Sequence, residues 1–432
     1  MKKRSTVVGA MLAIAGTIGA NSRIEAQSTE PDGSVPAGVE TSATSDNSVP
    51  SSGALPPYEI DERTQGVSDT EIRLGTSAPQ SGPLAIAGNI SAATAACFAE
   101  VNDNGGVHGR TINYTVYDDG YAADQTATNV RRLVEQDDVF SVIGTVGTLN
   151  GLGVLEYLDG VGVPYVFAVS GSSAWSVPVQ PRVFGFQPTY TFEGEMFASY
   201  FAANTPDSKI GLIVQNDDSG EEFLAAFQAV ADATGLDVVS VEYYDRGAES
   251  YGPQVLNLQS AGAEVVAMQA IYPAVAGILT ESQNLGYDPD YFVANIGFTE
   301  ALFDVVGPEV LEGVRFAGYF PQATDEDPAR IEHEAAMAEY APEIPVDDYT
   351  MLGWSICDAV VDALDRAGED LDWGSFLAAL ESTDGFDNGL APPINLGPDD
   401  HQAVEAEQLF VATDGAFVSD TELLGPDGLP IG

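Results

Sequence analysis

Basic residues are scarce in this chain: 15 Lys and Arg stand against 66 Asp and Glu in 432 residues, a formal net charge of −51. Nucleic acid and anionic membranes are disfavoured as partners, because binding them needs clustered Lys and Arg. The acids are scattered rather than blocked, which suits a solvated surface better than a dedicated acidic site. Histidine is rarer still, at three. His108 lies in a glycine-rich turn, His333 in a charged helical stretch and His401 in an acidic tail. All three are therefore expected on solvated surface rather than as imidazole bases. His333–Glu334 opens like a zinc-protease helix, but Met337 stands where the second His is needed, so no metal site is expected. A serine-nucleophile elbow is missing too, Gly171–Ser172–Ser173 being the nearest approach. Gly144, Gly147 and Gly151 lack the G-x-G-x-x-G spacing of a dinucleotide loop. The chain reads as a non-enzyme with no catalytic residue, metal or cofactor.

Cysteine is limited to Cys97 and Cys357, both in helix-like segments far apart in sequence. Outside the cytoplasm such a pair can form one disulfide; the alternative is two small buried side chains. Neither lies near the N-terminus, so a lipid-anchored cysteine is not supported. Met1–Lys2–Lys3–Arg4, an apolar stretch from Val7 to Ala20 and small residues near Ala26 have the layout of a signal peptide. The cut is expected near Ala26–Gln27, and the apolar stretch is short of the about 20 residues a membrane span needs. Residues 27–66, rich in Ser, Thr, Pro, Gly and acids, read as a disordered tether.

From Val67 onward strand and helix patterns alternate with short punctuation, the signature of an α/β fold with mainly parallel sheets. A chain this long exceeds one compact core, so two lobes are expected. Two strand-like runs are the most informative. Val139–Ile143 spills into Gly144–Thr145–Val146–Gly147–Thr148–Leu149–Asn150, and Val163–Phe167 spills into Ser170–Gly171–Ser172–Ser173–Ala174–Trp175. If these strands are parallel neighbours, both loops open at the carboxyl edge of one sheet, where open α/β sheets bind ligands. Glycine lets backbone N–H groups come close, and the hydroxyls add donors and acceptors. Such a rim is built to hold a small polar group rather than to react with it. Tyr190, Tyr272, Phe298 and Tyr319 fall near strand ends or expected crossovers and are candidate cleft walls, with Trp175 placed to close or cap a pocket.

Several segments together resemble the leucine/isoleucine/valine-binding family, the substrate-binding proteins of branched-chain amino-acid-type ABC transporters. They are Gln80–Ser81–Gly82–Pro83–Leu84, Val101–Asn102–Asp103–Asn104–Gly105–Gly106–Val107–His108–Gly109–Arg110, Gly147–Thr148–Leu149–Asn150 and Ser170–Trp175. Phe186–Gln187–Pro188–Thr189–Tyr190 and Gln215–Asn216–Asp217–Asp218–Ser219–Gly220 continue the series, and the likeness runs from about Val67 to Val418. The resemblance implies two Rossmann-like lobes joined by a three-stranded hinge, 67–189 with 320–392 and 190–319 with 393–425. It implies a monomer outside the cytoplasm that closes on a small-molecule ligand and delivers it to a membrane permease. It places Thr148, Gly171, Ser172 and Ser173 at the ligand's polar end and the family tyrosine at Tyr272; Ser81, Tyr190 and Asn295 complete the candidate set.

Two departures bear on the ligand. Where leucine-binding members carry a second-lobe glutamate for the ligand ammonium, this chain has Asn295–Ile296–Gly297. Where they carry an aromatic residue in the first loop, it has Ala85–Ile86–Ala87–Gly88. A buried ammonium lacking a carboxylate costs several kcal/mol. The ligand is expected to be a small polar molecule, an amino acid or related amide or carboxylate. The missing glutamate favours an amide, a carboxylate or an aromatic acid over an ordinary α-amino acid. A sensor or regulator of the same fold is the alternative, and a hydrolase the more remote one.

Overall fold

The computed structural model describes residues 63–322 and 326–431. The leader expected over residues 1–26, and the tether as far as residue 62, lie outside them. The chain joins the fold earlier than Val67: the Arg63 guanidinium lies 4.2 Å from the Trp373 ring centroid, and Gly66 O accepts a 2.8 Å bond from Arg73 N. The polar composition of this stretch concealed those backbone contacts.

Strands β1 (Glu71–Ala78), β2 (Thr111–Asp118), β3 (Ser141–Ile143), β4 (Tyr165–Ala168) and β5 (Val183–Gly185) form a parallel sheet in the order β2-β1-β3-β4-β5. Helices α1 (Gly88–Asp103), α2 (Ala123–Glu135) and α3 (Thr148–Val161) connect its strands. After α4 (Tyr190–Asn204) a second sheet begins, from β6 (Lys209–Gln215), β7 (Asp237–Tyr244), β8 (Val265–Gln269), β9 (Asp290–Val293) and β10 (Arg315–Gly318). Its helices are α5 (Asp218–Thr234), α6 (Gly252–Ala261), α7 (Tyr272–Leu285), α8 (Ala301–Val306) and α9 (Pro308–Leu311). The parallel part runs β7-β6-β8-β9-β10, the same order as in the first sheet. The chain then supplies α10 (Pro328–Tyr340), α11 (Asp348–Ala367) and α12 (Trp373–Glu381). It returns to the second sheet as the antiparallel edge β11 (Gln408–Thr413) and β12 (Ala416–Ser419).

Local chemistry accounts for these elements. Ile210, Leu212, Ile213 and Val214 make β6 a buried, near-continuous apolar run, as a strand covered on both faces requires. Asp347 and Thr350 form a reciprocal capping box at the start of α11, and Asp372 and Ser375 do the same for α12. Short α8 and α9 carry too few apolar repeats to be read from sequence.

Three connections pass between the lobes: β5 to α4, β10 to α10, and α12 back to β11. The first and third pair directly, with Ala403 N and Val404 N donating to Gly185 O and Phe186 O at 3.1 and 3.0 Å. Helix α11 packs on α1 in the first lobe, where Thr94 Oγ1 donates to Gly353 O at 2.8 Å. There Cys97 and Cys357 form a disulfide, with Cα atoms 6.2 Å apart.

The histidine expectation fails at two of three positions. His333 and His401 are buried. His333 shares one face of α10 with Arg330 and Met337, spaced three and four residues apart, and sits edge-on to Trp354. Burial, helped by Arg330, pushes it down to about 4. His401 stacks on Phe184 at 3.9 Å with Nδ1 2.8 Å from Val183 O, and burial lowers its pKa as well. The charged neighbours suggested solvated faces, but these rings occupy the inner ones. Trp175 is also buried, its indole N–H donating to Ser170 O at 2.9 Å, so it belongs to the core rather than to a pocket.

Candidate functional site

Each sheet reverses its strand order beside its first strand, between β1 and β3 and between β6 and β8. Ligands of open α/β sheets bind outside the carboxyl ends of the strands at such switch points. One cavity is lined from these ends in both lobes. Val146, Gly147 and Thr148 follow β3, and Val169 follows β4. From the other side come Gln215 and Ser219, Ile271, and Asn295, Ile296 and Phe298, which end or follow β6, β8 and β9. Tyr319 and Phe320 follow β10, and Asp348, Tyr349 and Leu352 project from α11. Leu84, Ala87, Ile90, Tyr121, Gln187 and Tyr190 complete most of the wall. Aliphatic and aromatic side chains dominate it, with a few polar groups between them, the usual make-up of a small-molecule site.

The β3 and β4 loops are neighbours, as Val142 pairs with Tyr165 in parallel register. Their hydroxyls meet: Thr148 Oγ1 and Ser170 Oγ are 2.8 Å apart. Gly147, which begins α3 at φ +101°, lies against the Tyr121 ring, and a Cβ there would come within 2.7 Å of it. Gly171 likewise lets the chain close on Pro188 O and the Tyr190 ring, which a Cβ would meet at 2.6 and 2.9 Å.

Beyond Gly171 the loop faces the other lobe. The Glu222 carboxylate of α5 accepts from Ser173 N at 2.9 Å and from Thr191 Oγ1 at 3.0 Å. Ser172 Oγ reaches the same carboxylate at 3.4 Å. A second link comes from Arg246, in the β7–α6 connection. Its guanidinium carbon sits 3.8 Å from the Tyr121 ring centroid, and it donates to Tyr121 O and to Asn150 Oδ1, both at 3.2 Å.

Carboxyl groups crowd the second-lobe floor. Asn295 N donates to Glu193 at 2.7 Å, and Asn295 Nδ2 donates to Glu407. Both glutamates are buried, and burial pushes both carboxyls up; for Glu407 the nearby Glu193 charge adds to the shift. Asn295 Oδ1 accepts from Gln187 at 3.3 Å, so its amide is engaged on both sides. Asp348 is the acid in the cavity wall itself. Burial first, then the charges of Glu300 and Asp347, push it up to about 8, against the lowering effects of Gln322 and Arg330.

The sequence pattern of the family described as periplasmic binding protein matches residues 71–416. The chain belongs to that family. Among similar proteins, Leu/Ile/Val-binding protein homolog 3 of Brucella melitensis is 25% identical over 311 residues, 72% of this chain and 83% of that protein. Homolog 8 of Brucella abortus is 26% identical over 332 residues, 73% of this chain and 81% of that protein. Two solved structures share the fold of this family member at 21% identity and a TM-score of 0.76. One is a branched chain amino acid ABC transporter protein from Thermus thermophilus with bound valine, matched over 83% of this chain and 97% of its own. The other is a fatty acid ABC transporter substrate-binding protein from Thermomonospora curvata, matched over 84% and 95%.

Of the residues singled out from sequence, Thr148, Tyr190, Asn295, Phe298 and Tyr319 line the cavity of this family member. Gly171, Ser172 and Ser173 lie beside it, and the latter two meet Glu222 rather than the open space. Tyr272 begins α7 next to the wall residue Ile271, close enough to Tyr349 to affect its ionisation. Ser81 is apart from these, on an exposed turn where its N–H donates to Asp118 at 3.1 Å. Sequence reasoning missed Asp348, Tyr349, Glu222 and Arg246. Asp347–Asp348 reads as a helix start, and Glu221–Glu222 as part of a solvated acidic face. Their roles depend on what α11 and α5 are packed against.

Proposed function

We propose that this protein is the solute-binding component of an ABC importer, taking a small ligand with an apolar body and few polar groups into the cleft between its lobes. The carrying observation is the cavity itself: the carboxyl ends of two sheets whose parallel parts share one strand order converge on it, and both lobes wall it. Family membership and the names of the relatives support transport over sensing. Uptake proceeds by hinge closure at the three crossing segments, with the ligand favouring the closed form because both lobes contact it. Thr148, Tyr190 and Asn295 contact the ligand, Gly171 lets the neighbouring loop pack beside the cavity, and Ser172 and Ser173 bind Glu222 on closure.

The protein works outside the cytoplasm as a monomer and presents its closed form to a membrane permease. The signal-like N-terminus and the Cys97–Cys357 disulfide both favour that location. Among the described residues no helix is long and apolar enough to cross a membrane. A thermal-shift screen of amino acids, amines, amides and carboxylates tests the reading, because a ligand selective for the folded state raises its apparent stability. At least one solute is expected to raise the midpoint of the native protein, and to do so less for Thr148→Val. A screen with no responding solute would refute the assignment.

A further inference from the structure

Asp348 stands at the first turn of α11, in the cavity wall, and is buried. Oδ1 accepts from Gln322 Nε2 at 3.1 Å, whereas Oδ2 is enclosed and has no hydrogen-bond partner among the described residues. Buried polar atoms are ordinarily hydrogen-bonded, so one left without a partner calls for an explanation. Six aromatic side chains line the same space: Tyr121, Tyr190, Phe298, Tyr319, Phe320 and Tyr349. Ring faces carry negative potential and attract cations. No Lys, Arg or His is among the described residues of the wall. Arg330, which acts on Asp348 from α10, is already bonded to Glu300, Glu334 and Pro321 O at 3.1, 3.1 and 2.9 Å. A carboxyl oxygen without a partner, aromatic walls and no basic group in the lining together complement a positively charged donor.

We propose that the cavity takes an organic ammonium ion with an apolar body, whose N–H is donated to Asp348. The proposal rests on the solute-binding reading and names its ligand class. It also supplies the carboxylate that the second lobe lacks at Asn295–Ile296–Gly297, from a different element. In the β4 loop, expected at the ligand's polar end, the Ser173 amide and the Ser172 hydroxyl are in turn engaged by Glu222.

Protonation makes the proposal measurable. Burial, then the charges of Glu300 and Asp347, raise the pKa of Asp348 to about 8, while Gln322 and Arg330 lower it. Tyr319 and Tyr349 face it as well, and burial keeps both phenols neutral. In the empty protein at pH 6.5 Asp348 is therefore mostly a neutral acid. An ammonium ion binds the ionised form, so the carboxyl loses its proton to solvent as the ion pair forms. Close to one proton is released per ligand, and affinity rises about tenfold per pH unit toward pH 8.

The test is calorimetric titration of the full chain with a panel of alkyl- and arylalkylammonium ions, in buffers of differing ionisation enthalpy. Neutral alcohols and carboxylates of the same skeletons form the comparison arms. Ammonium ions are expected to bind with proton release, and Asp348→Asn to weaken them at least tenfold and abolish the release. Quaternary ammonium ions, having no N–H, are expected to bind more weakly. Ammonium binding whose affinity neither changes with pH in the unmodified protein nor falls in Asp348→Asn overturns the role of Asp348. If carboxylates or alcohols bind and ammonium ions do not, this inference falls while the solute-binding reading stands. If nothing in any arm or in the broader screen binds, the solute-binding reading itself fails.

Discussion

The Glu222 carboxylate of the second lobe lies 2.9 Å from the backbone nitrogen of Ser173 in the first. A carboxylate from the protein thus occupies the Ser173 amide and the Ser172 hydroxyl of the loop that the sequence assigned to a ligand's polar end. Glu222 is half-buried, and hydrogen bonds to charged groups contribute about 1.5–3 kcal/mol when well enclosed, so the lower part of that range applies. Glu222→Ala is expected to move the ligand-free protein toward the open form by a little over tenfold, about 1.5 kcal/mol. Small-angle scattering reads this as a larger radius of gyration. Glu222→Gln, which keeps an acceptor oxygen, should fall between. An unchanged scattering curve for Glu222→Ala would dismiss the latch.

Stability should fall as pH rises from 6.5 to 8. Asp348 has its pKa raised to about 8 by burial and neighbouring acids, and Glu193 and Glu407 are raised by burial, each above its unfolded value. A raised folded pKa gives stability that is full below the unfolded pKa and lost as pH rises through the folded one. His333, depressed to about 4, acts oppositely: its contribution is full above about 6.5 and lost as pH falls toward 4. Above pH 6.5 only the acids act, each by at most about 1.4 kcal/mol per pH unit. Urea unfolding of the ligand-free protein at pH 6.5 and 8 measures the slope, which Asp348→Asn should flatten. A profile that stays flat from pH 6.5 to 8 would show that these carboxyls are already ionised in the folded protein.

The Cys97–Cys357 bond closes a 260-residue loop and ties α1 to α11, the helix that carries Asp348 and Tyr349 into the cleft. Its loss should cost about 2–5 kcal/mol. Unfolding of the oxidised protein, the reduced protein and the Cys97→Ala/Cys357→Ala variant measures it. Two thiols open to alkylation in the native, unreduced protein would contradict the pairing.

Much of the architecture could be read in advance because strand and helix periods alternate cleanly and helix ends carry Gly, Asp and Ser. The β3 and β4 loops announced themselves by composition, and Thr148 lines the cavity accordingly. Asp348 and Glu222 were hidden for a physical reason. In a chain with 66 acids, an Asp at a helix start and a Glu in an acidic turn resemble their solvated neighbours. Only tertiary packing, with α11 and α5 brought against the first-lobe loops, distinguishes them. His333 and His401 show the reverse error, since charged neighbours suggested water where the helix face and the crossing segment turn inward.

The central claim is that a small solute sits where the two sheets' carboxyl ends converge. A crystal structure of the full chain with the solute that most raises its thermal midpoint tests this directly. The account predicts ligand density enclosed by Thr148, Tyr190, Asn295 and Tyr349, with a polar atom within hydrogen-bond distance of Asp348 Oδ2. Density bound elsewhere on the molecule, with this cavity empty, would contradict it.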